Sequence, residues 1–272
     1  MSYLSRESSS LSNELWSQID STVVKSARSV LTGRRFLHLV GPLGAGTQAV
    51  PVDDADSLKE TDAGGLKTVS GRKFIQLPIL YEDFKLLARD LESADQSGLP
   101  VDLSKAARAA QNCALKEDKL IFFGKPEFGY DGLLTVEGAR KIPKKDWSTG
   151  ENAFTDIASG ITYFAEAGIN PPYALAVSPD LYLQMERLQP GTGLLEIDRV
   201  SKMLDGHLYL ARALGQKKAV LAGCDAINMD LVVGQDMAAA YLEQTDMNHS
   251  LRVVESVLLR IKRKEAVAVF EE

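Results

Sequence analysis

Apolar positions recur at three- and four-residue steps through Leu15, Ile19, Val23, Ala27, Val30 and Leu31. This predicts an amphipathic helix over residues 12–32, with Trp16 beside the stripe. Gly33 is placed to end it. The next apolar run, Phe36 to Val40, predicts a strand and stops at Gly41, Gly44 and Gly46. Residues 47–73 are polar and rich in Asp, Lys and Gly. They predict a long excursion whose tip is Asp62 to Gly65, a feature compact domains rarely carry. "KFIQLPIL" (73–80) predicts a returning strand, and residues 81–93 a helix. A second clear helix is predicted over 102–119, capped by Asp102 or Ser104. Its stripe, Ala106, Ala107, Ala110, Cys113 and Ala114, is small enough for other backbone to approach. That describes a packed central helix.

The second half alternates. Ser148 with Glu151 fits a capping box ahead of a helix carrying Phe154, Ile157, Ala158, Ile161 and Ala165, closed by Gly168. "YALAVS" (173–178) reads as a strand. Ser178-Pro179-Asp180 then gives an N-cap, a first-turn proline and an early acid. A short helix is predicted over 198–204, with strands near 207–213 and 219–223. The tail, 230–270, is strand-rich. "SLRVVESVLLRIK" (250–262) is long for one strand, about 40 Å if extended. Such a strand suits an elongated sheet. No internal repeat is present.

Composition narrows the function classes. The 272 residues are 45% hydrophobic and 25% charged, ordinary globular values for one or two domains. A net charge of −6 disfavours a nucleic-acid surface. Two cysteines, Cys113 and Cys224, make no disulfide framework and read as small core residues. The N-terminus lacks a basic stretch followed by an apolar core, and no apolar run approaches the roughly 20 residues of a membrane span. The expectation is a soluble, cytoplasmic chain without membrane or nucleic-acid partners.

The search for chemistry returns little. "GRRFLHLVGPLGAG" (33–46) has the glycines of a phosphate cradle but continues as Thr47-Gln48-Ala49, where a P-loop needs Lys and Ser/Thr. Pro42 removes a useful N–H, and Pro51 with three nearby aspartates opposes a dinucleotide-binding helix. His38, His207 and His249 are far apart, and neither Cys-x-x-Cys nor G-x-S-x-G occurs. Glu117-Asp118 reads as the solvated end of the central helix, because adjacent residues do not share a helix face. "IKRKE" (261–265) reads as a surface turn. These residues nominate no catalytic group, metal or cofactor. An enzyme would need a non-local site, such as a carboxylate pair.

Taken in order, several stretches carry a resemblance. They are "LWSQID" (15–20), "GRRFLHLVGPLG" (33–44), "LPILYEDFKLLARDLE" (77–92), "VDLSKAARAA" (101–110) and "EDKLIFFGKPEFGYDGLLT" (117–135). After them come "PPYALAVSPDLYLQM" (171–185), "DLVVGQDMAAAYLE" (230–243) and "VVESVLLRIKRKEAVAVFE" (253–271). In this order and spacing the chain resembles the encapsulins, bacterial and archaeal nanocompartment shell proteins. The resemblance implies an α+β chain with the Hong Kong 97 phage-type capsid fold. It implies an N-terminal helix and the start of a peripheral domain over 1–45, and an extended loop over 46–74 that reaches a neighbour. The peripheral domain with its spine helix follows over 75–124, an axial domain over 125–223, and C-terminal peripheral strands over 224–272.

The same resemblance implies a shell and not an enzyme: an icosahedral homo-oligomer of about 60 subunits enclosing a cargo. The cargo classes are a dye-decolourising peroxidase or a ferritin-like iron oxidase, linking the cage to oxidative stress or iron storage. Cargo docks through a C-terminal targeting peptide. The groove implied for that peptide comprises Ala27, Leu31, Arg34, His38, Leu39, Met237 and Ala239, with Arg34 free to hold a carbonyl or carboxylate. The implied five-fold pore loop is Gln189, Pro190, Gly191, Thr192 and Gly193, a neutral ring. Some relatives carry flavin through an aromatic in the helix placed at 81–93. Here that stretch reads Leu87-Ala88-Arg89, so no cofactor is expected. A phage major capsid protein is the runner-up within this fold.

Overall fold

The computed structural model describes residues 3–52, 58–189 and 193–271. The chain begins with helix α1 (Asn13–Arg28), whose first turn is capped by the Ser12 hydroxyl accepting from Leu15 N–H. Strand β1 is Leu39–Val40. An arm follows, built from β2 (Ala49–Val52), β3 (Lys59–Ala63), β4 (Leu66–Ser70) and β5 (Lys73–Gln76). Strand β6 (Ile79–Leu86) leads to α2 (Ala88–Ser97) and the long helix α3 (Ser104–Phe123). Next come β7 (Arg140–Pro143), α4 (Asn152–Glu166), β8 (Tyr173–Val177), α5 (Pro179–Met185) and α6 (Glu196–Met203). The chain ends with β9 (Leu208–Leu210), β10 (Ala219–Gly223), β11 (Met229–Val233), β12 (Ala238–Thr245), β13 (Asn248–Ile261) and β14 (Val267–Glu271).

The 14 residues of β13 form the backbone of the first sheet. Along one edge β11 pairs with residues 257–261 and β12 with 248–254, so the two are one interrupted strand antiparallel to β13. The interruption, residues 234–237, bulges opposite Ser256, whose N–H, carbonyl and hydroxyl take its loose backbone groups. Strand β6 pairs along the other edge, and β1 lies parallel to β11. Helices α1 and α3 cover one face and bury Ile19, Val23, Ala110, Cys113, Leu251 and Val253 together. The second sheet, in the order β7-β14-β10-β8-β9, packs with α4, α5 and α6 around Trp147, Ile157, Phe164 and Phe270, a core that continues through Ile121 and Phe122 of α3 to Leu231, Val257 and Leu259 of the first sheet.

The arm is two stacked two-stranded ladders, β2 with β5 and β3 with β4. Val50, Leu77, Val232 and Leu258 anchor its foot. Beyond the foot nothing packs on it: every residue of β3 and β4 is exposed. The tip is the two-residue Gly64-Gly65 turn, where both φ angles are positive.

Several expectations change. Helix α1 stops at Arg28, and Gly33 instead opens a short 3-10 turn, Gly33–Arg35. The expected strand 36–40 shrinks to two residues. Residues 81–86 belong to a strand, because Phe84 and Leu86 alternate inward and β13 offers a long edge to pair with. The 148–151 capping box does not form. Ser148 N–H and hydroxyl both turn to Asp146, and Glu151 occupies the N-cap. Strand β14 pairs with β10 and β7, so residues 267–271 of the strand-rich tail lie in the second sheet and not beside β13. The glycines of "IFFGKPEFGYDGLL" close the end of α3. A Cβ on Gly124 would strike the Tyr130 carbonyl, and one on Gly132 would strike the Gly124 N–H.

Candidate functional site

Along α1 the groove is lined by Val24, Ala27 and Arg28, with Leu31 just past the helix end; Ala27 and Leu31 are themselves buried. These residues are spaced i, i+3, i+4, i+7, one helical stripe. Leu39 of β1 and the turn residues Arg34 and Arg35 form the second wall. Asp236 and Met237, from the bulge between β11 and β12, form the third. Together they enclose an open groove of about 400 Å³. Its floor is aliphatic. Arg28 and Arg35 reach its rim without an ion pair among the described residues.

Beneath the groove lies a charge network that fixes its shape. Arg34 Nε donates to both oxygens of Glu117, at 2.8 and 3.0 Å. Its other nitrogens reach Glu255 at 2.9 Å and Asp236 at 2.6 Å. Glu117 and Glu255 are both 0% exposed. Burial opposes the Arg34 charge, but hydrogen bonds and attraction from its carboxylates outweigh it and raise its pKa further. Burial, then the charge of Glu117, push the Glu255 carboxyl well above the ordinary range, while Arg34 and the Cys113 thiol pull it back down. Asp118 accepts from Thr32 N–H at 2.9 and 3.0 Å and from Gly33 N–H at 2.9 Å. Burial lifts its pKa to about 6 against those bonds. Helix α3 therefore holds residues 32–34, just past α1, through two adjacent buried carboxylates.

The comparisons with known proteins bear on the whole chain. A family model described as an encapsulating protein for peroxidase matches residues 1–258. The chain belongs to the encapsulin family. It is 39% identical to the type 1 encapsulin shell protein EncA of Myxococcus xanthus, over 99% of this chain and 96% of that protein. Among solved structures, the virus-like particle from Pyrococcus furiosus superposes with a TM-score of 0.77 at 20% identity, covering 95% of this chain and 100% of that one. The capsid of Myoviridae phage XM1 gives 0.61 at 15% identity, covering 87% and 90%. These likenesses establish the Hong Kong 97 phage-type capsid fold.

Of the residues that the encapsulin resemblance nominated, Ala27, Leu31, Arg34, Leu39 and Met237 line one groove. His38 and Ala239 do not. His38 is exposed outside its wall. Ala239 is sealed in the sheet core under α1, with its carbonyl taken by Arg6. Arg34 also departs from its expected role, because three carboxylates of its own chain occupy its guanidinium. Val24, Arg28, Arg35 and Asp236 were missed, although the helical spacing from Ala27 to Leu31 points to Val24 and Arg28. In the nominated pore loop, Pro190, Gly191 and Thr192 lie outside the described residues. Gln189 is no pore tip. Its side chain is buried, donating to the Gly150 carbonyl and accepting from Arg199. Gly193 has a positive φ at the loop's far side. The Glu117-Asp118 pair is the clearest correction. It is no solvated end, because α3 continues to Phe123 and keeps both residues on its buried side.

Proposed function

We propose that this chain is the shell subunit of a nanocompartment: identical copies close into an icosahedral cage, about 60 in the smallest form, that takes up an enzyme. The arm carries this reading. Ten residues of paired strand with no buried side chain are marginal alone, and become sound structure only against another surface. Family membership and the capsid fold support a neighbouring copy as that surface. The only paired buried acids beside the groove, Glu117 and Glu255 among the described residues, are closed under Arg34, which speaks against a non-local catalytic pair.

The groove is the docking place for a cargo peptide. Leu31, Leu39 and Met237 offer aliphatic contact, and weak single contacts suffice when a multimeric cargo engages many copies. The description of the matching family favours a peroxidase as cargo. A ferritin-like iron oxidase is the second class. Size-exclusion chromatography with negative-stain microscopy of the purified chain tests the shell. Hollow particles of one size are expected, and small oligomers at every concentration would overturn it.

A further inference from the structure

The turn Gly33–Arg35 sends consecutive side chains to different places. Arg34 goes beneath the groove to its carboxylates, and Arg35 goes to the rim. The groups that meet Arg35 come from β9, the edge strand of the second sheet, 174 residues further along the chain. The Tyr209 hydroxyl lies 3.3 Å from the Arg35 carbonyl. The Arg35 guanidinium carbon lies 5.8 Å from the centre of the Tyr209 ring, within reach of a cation–π contact. Phe36 completes the joint, with its ring centre 5.5 Å from that of Tyr209 and 6.4 Å from that of Phe122 in α3.

Proton counting fixes the direction of these bonds. A carbonyl only accepts, so the single Tyr209 hydroxyl proton goes to Arg35. His207 Nδ1 is 3.1 Å from the same phenol oxygen and must therefore donate to it. Burial, then Cys224, hold the Tyr209 pKa above its ordinary value despite the Arg35 charge, which keeps the donor protonated. One directed chain thus runs from His207 through Tyr209 to the second wall of the groove. Arg35 itself has no ion pair among the described residues, so no carboxylate fixes its guanidinium.

We propose that Tyr209 is a positioning residue for the groove: it holds Arg35 at the rim by both its carbonyl and its guanidinium, and so presents that cation to a docked peptide. The inference rests on the reading that the groove receives a cargo peptide. Arg35 is the group that touches the peptide, and its N–H donors suit the backbone carbonyls of an extended segment. Tyr209 lines no part of the groove and acts through Arg35. An arginine seated beforehand avoids the cost of being ordered only on binding.

The experiment coexpresses variant chains with a fluorescent protein bearing the C-terminal peptide of the neighbouring-gene cargo, verifies particles by microscopy and measures fluorescence per particle. Tyr209→Leu and Arg35→Ala are each expected to lower loading several-fold. The double variant is expected to load no less than Arg35→Ala alone, because Tyr209 acts through Arg35. Losses that multiply in the double variant, or wild-type loading by either single variant, overturn the inference. Leu39→Asp is the control for the groove itself. Wild-type loading by intact Leu39→Asp particles overturns the docking place and this inference with it, whereas a loss there with none at Tyr209 overturns only the positioning role. Tyr209→Phe removes one oxygen and keeps the ring, so it serves if Tyr209→Leu forms no particles. In Tyr209→Phe particles, the Arg35, Phe36 and Leu37 N–H groups, which close the turn on the Thr32 and Gly33 carbonyls, are expected to exchange with deuterium about threefold faster. Unchanged exchange overturns the tie to Arg35.

Discussion

Arg34 answers three carboxylates, and two of them are fully buried. Burial and the charge of Glu117 work against a charge on Glu255, and Glu255→Gln removes that charge while keeping the size of the side chain. Its unfolding free energy is expected to stay within about 1 kcal/mol of wild type. Arg34→Ala strands Glu117 in the core and is expected to destabilise by about 3–5 kcal/mol. Urea titration followed by tryptophan fluorescence separates the two, and equal losses would refute the unequal weight given to Arg34 and Glu255. Asp118 gives a pH signature. Its folded pKa, about 6, lies above the ordinary 3.8, so between those values the folded chain binds more protons than the unfolded one. Its contribution to stability is therefore present below about pH 4 and lost as pH rises through about 6. Asp118→Asn should flatten that part of the stability profile relative to wild type, and parallel profiles would exclude the assignment. This pair was legible in principle. Continuing the stripe from Ala110, Cys113 and Ala114 by one turn lands on Glu117 and Asp118, and then on the buried Ile121 and Phe122. Two acids in a row read as a helix end only because their partners, Arg34, Thr32 and Gly33, lie over 80 residues away.

At the scale of elements, local rules worked where the element decides itself. The Ser178-Pro179-Asp180 start, the small-residue face of α3 and the length of β13 all stand in the structure. They failed at β6, where a non-local edge outweighed a helical reading of residues 81–86. The turn after α3 tolerates no side chain at two of its glycines. Gly124→Ala and Gly132→Ala are each expected to reduce soluble, folded protein sharply, whereas Gly129→Ala, with open space around it, is limited to the strain of its positive φ. Expression followed by a thermal melt checks the ranking. Deleting Thr47 to Arg72 removes β2, β3 and β4, and with them Val50 of the anchor. The remaining chain is expected to keep its helical circular dichroism and form no closed particle, and intact cages from the deletion would refute the arm's role. The groove is best probed where its wall is not also core. Leu39 and Val24 are 44% and 43% exposed, unlike Leu31.

At the scale of the whole molecule, the two cores divide the work. The α1–α3 layer over the first sheet holds the groove; the core of the second sheet with α4–α6 reaches the end of α3 and the β11–β13 end of the first sheet but includes none of the groove's residues. With the groove as the proposed docking place, substitutions on its exposed wall are expected to alter loading and leave assembly intact. A fluorescent protein bearing the C-terminal peptide of the neighbouring-gene cargo, coexpressed with Leu39→Asp or Val24→Asp chains, should enter particles at least several-fold less than with wild type. Equal loading in intact particles would move cargo docking elsewhere.

The amino-acid sequence by itself determined the class of this chain: the main helices α1, α3 and α4, the long C-terminal strand, and its encapsulin resemblance. Each of those rests on local periodicity or contiguous segments, which neighbours in the chain set among themselves. Five groove residues, Ala27, Leu31, Arg34, Leu39 and Met237, were also visible through the resemblance. Only the tertiary structure decided that Arg34 is already engaged, that Ala239 and Gln189 are buried, and that β14 closes the other sheet. Those outcomes depend on which carboxylates, carbonyls and strand edges arrive from distant parts of the chain, and burial makes each unpaired group too expensive to leave alone.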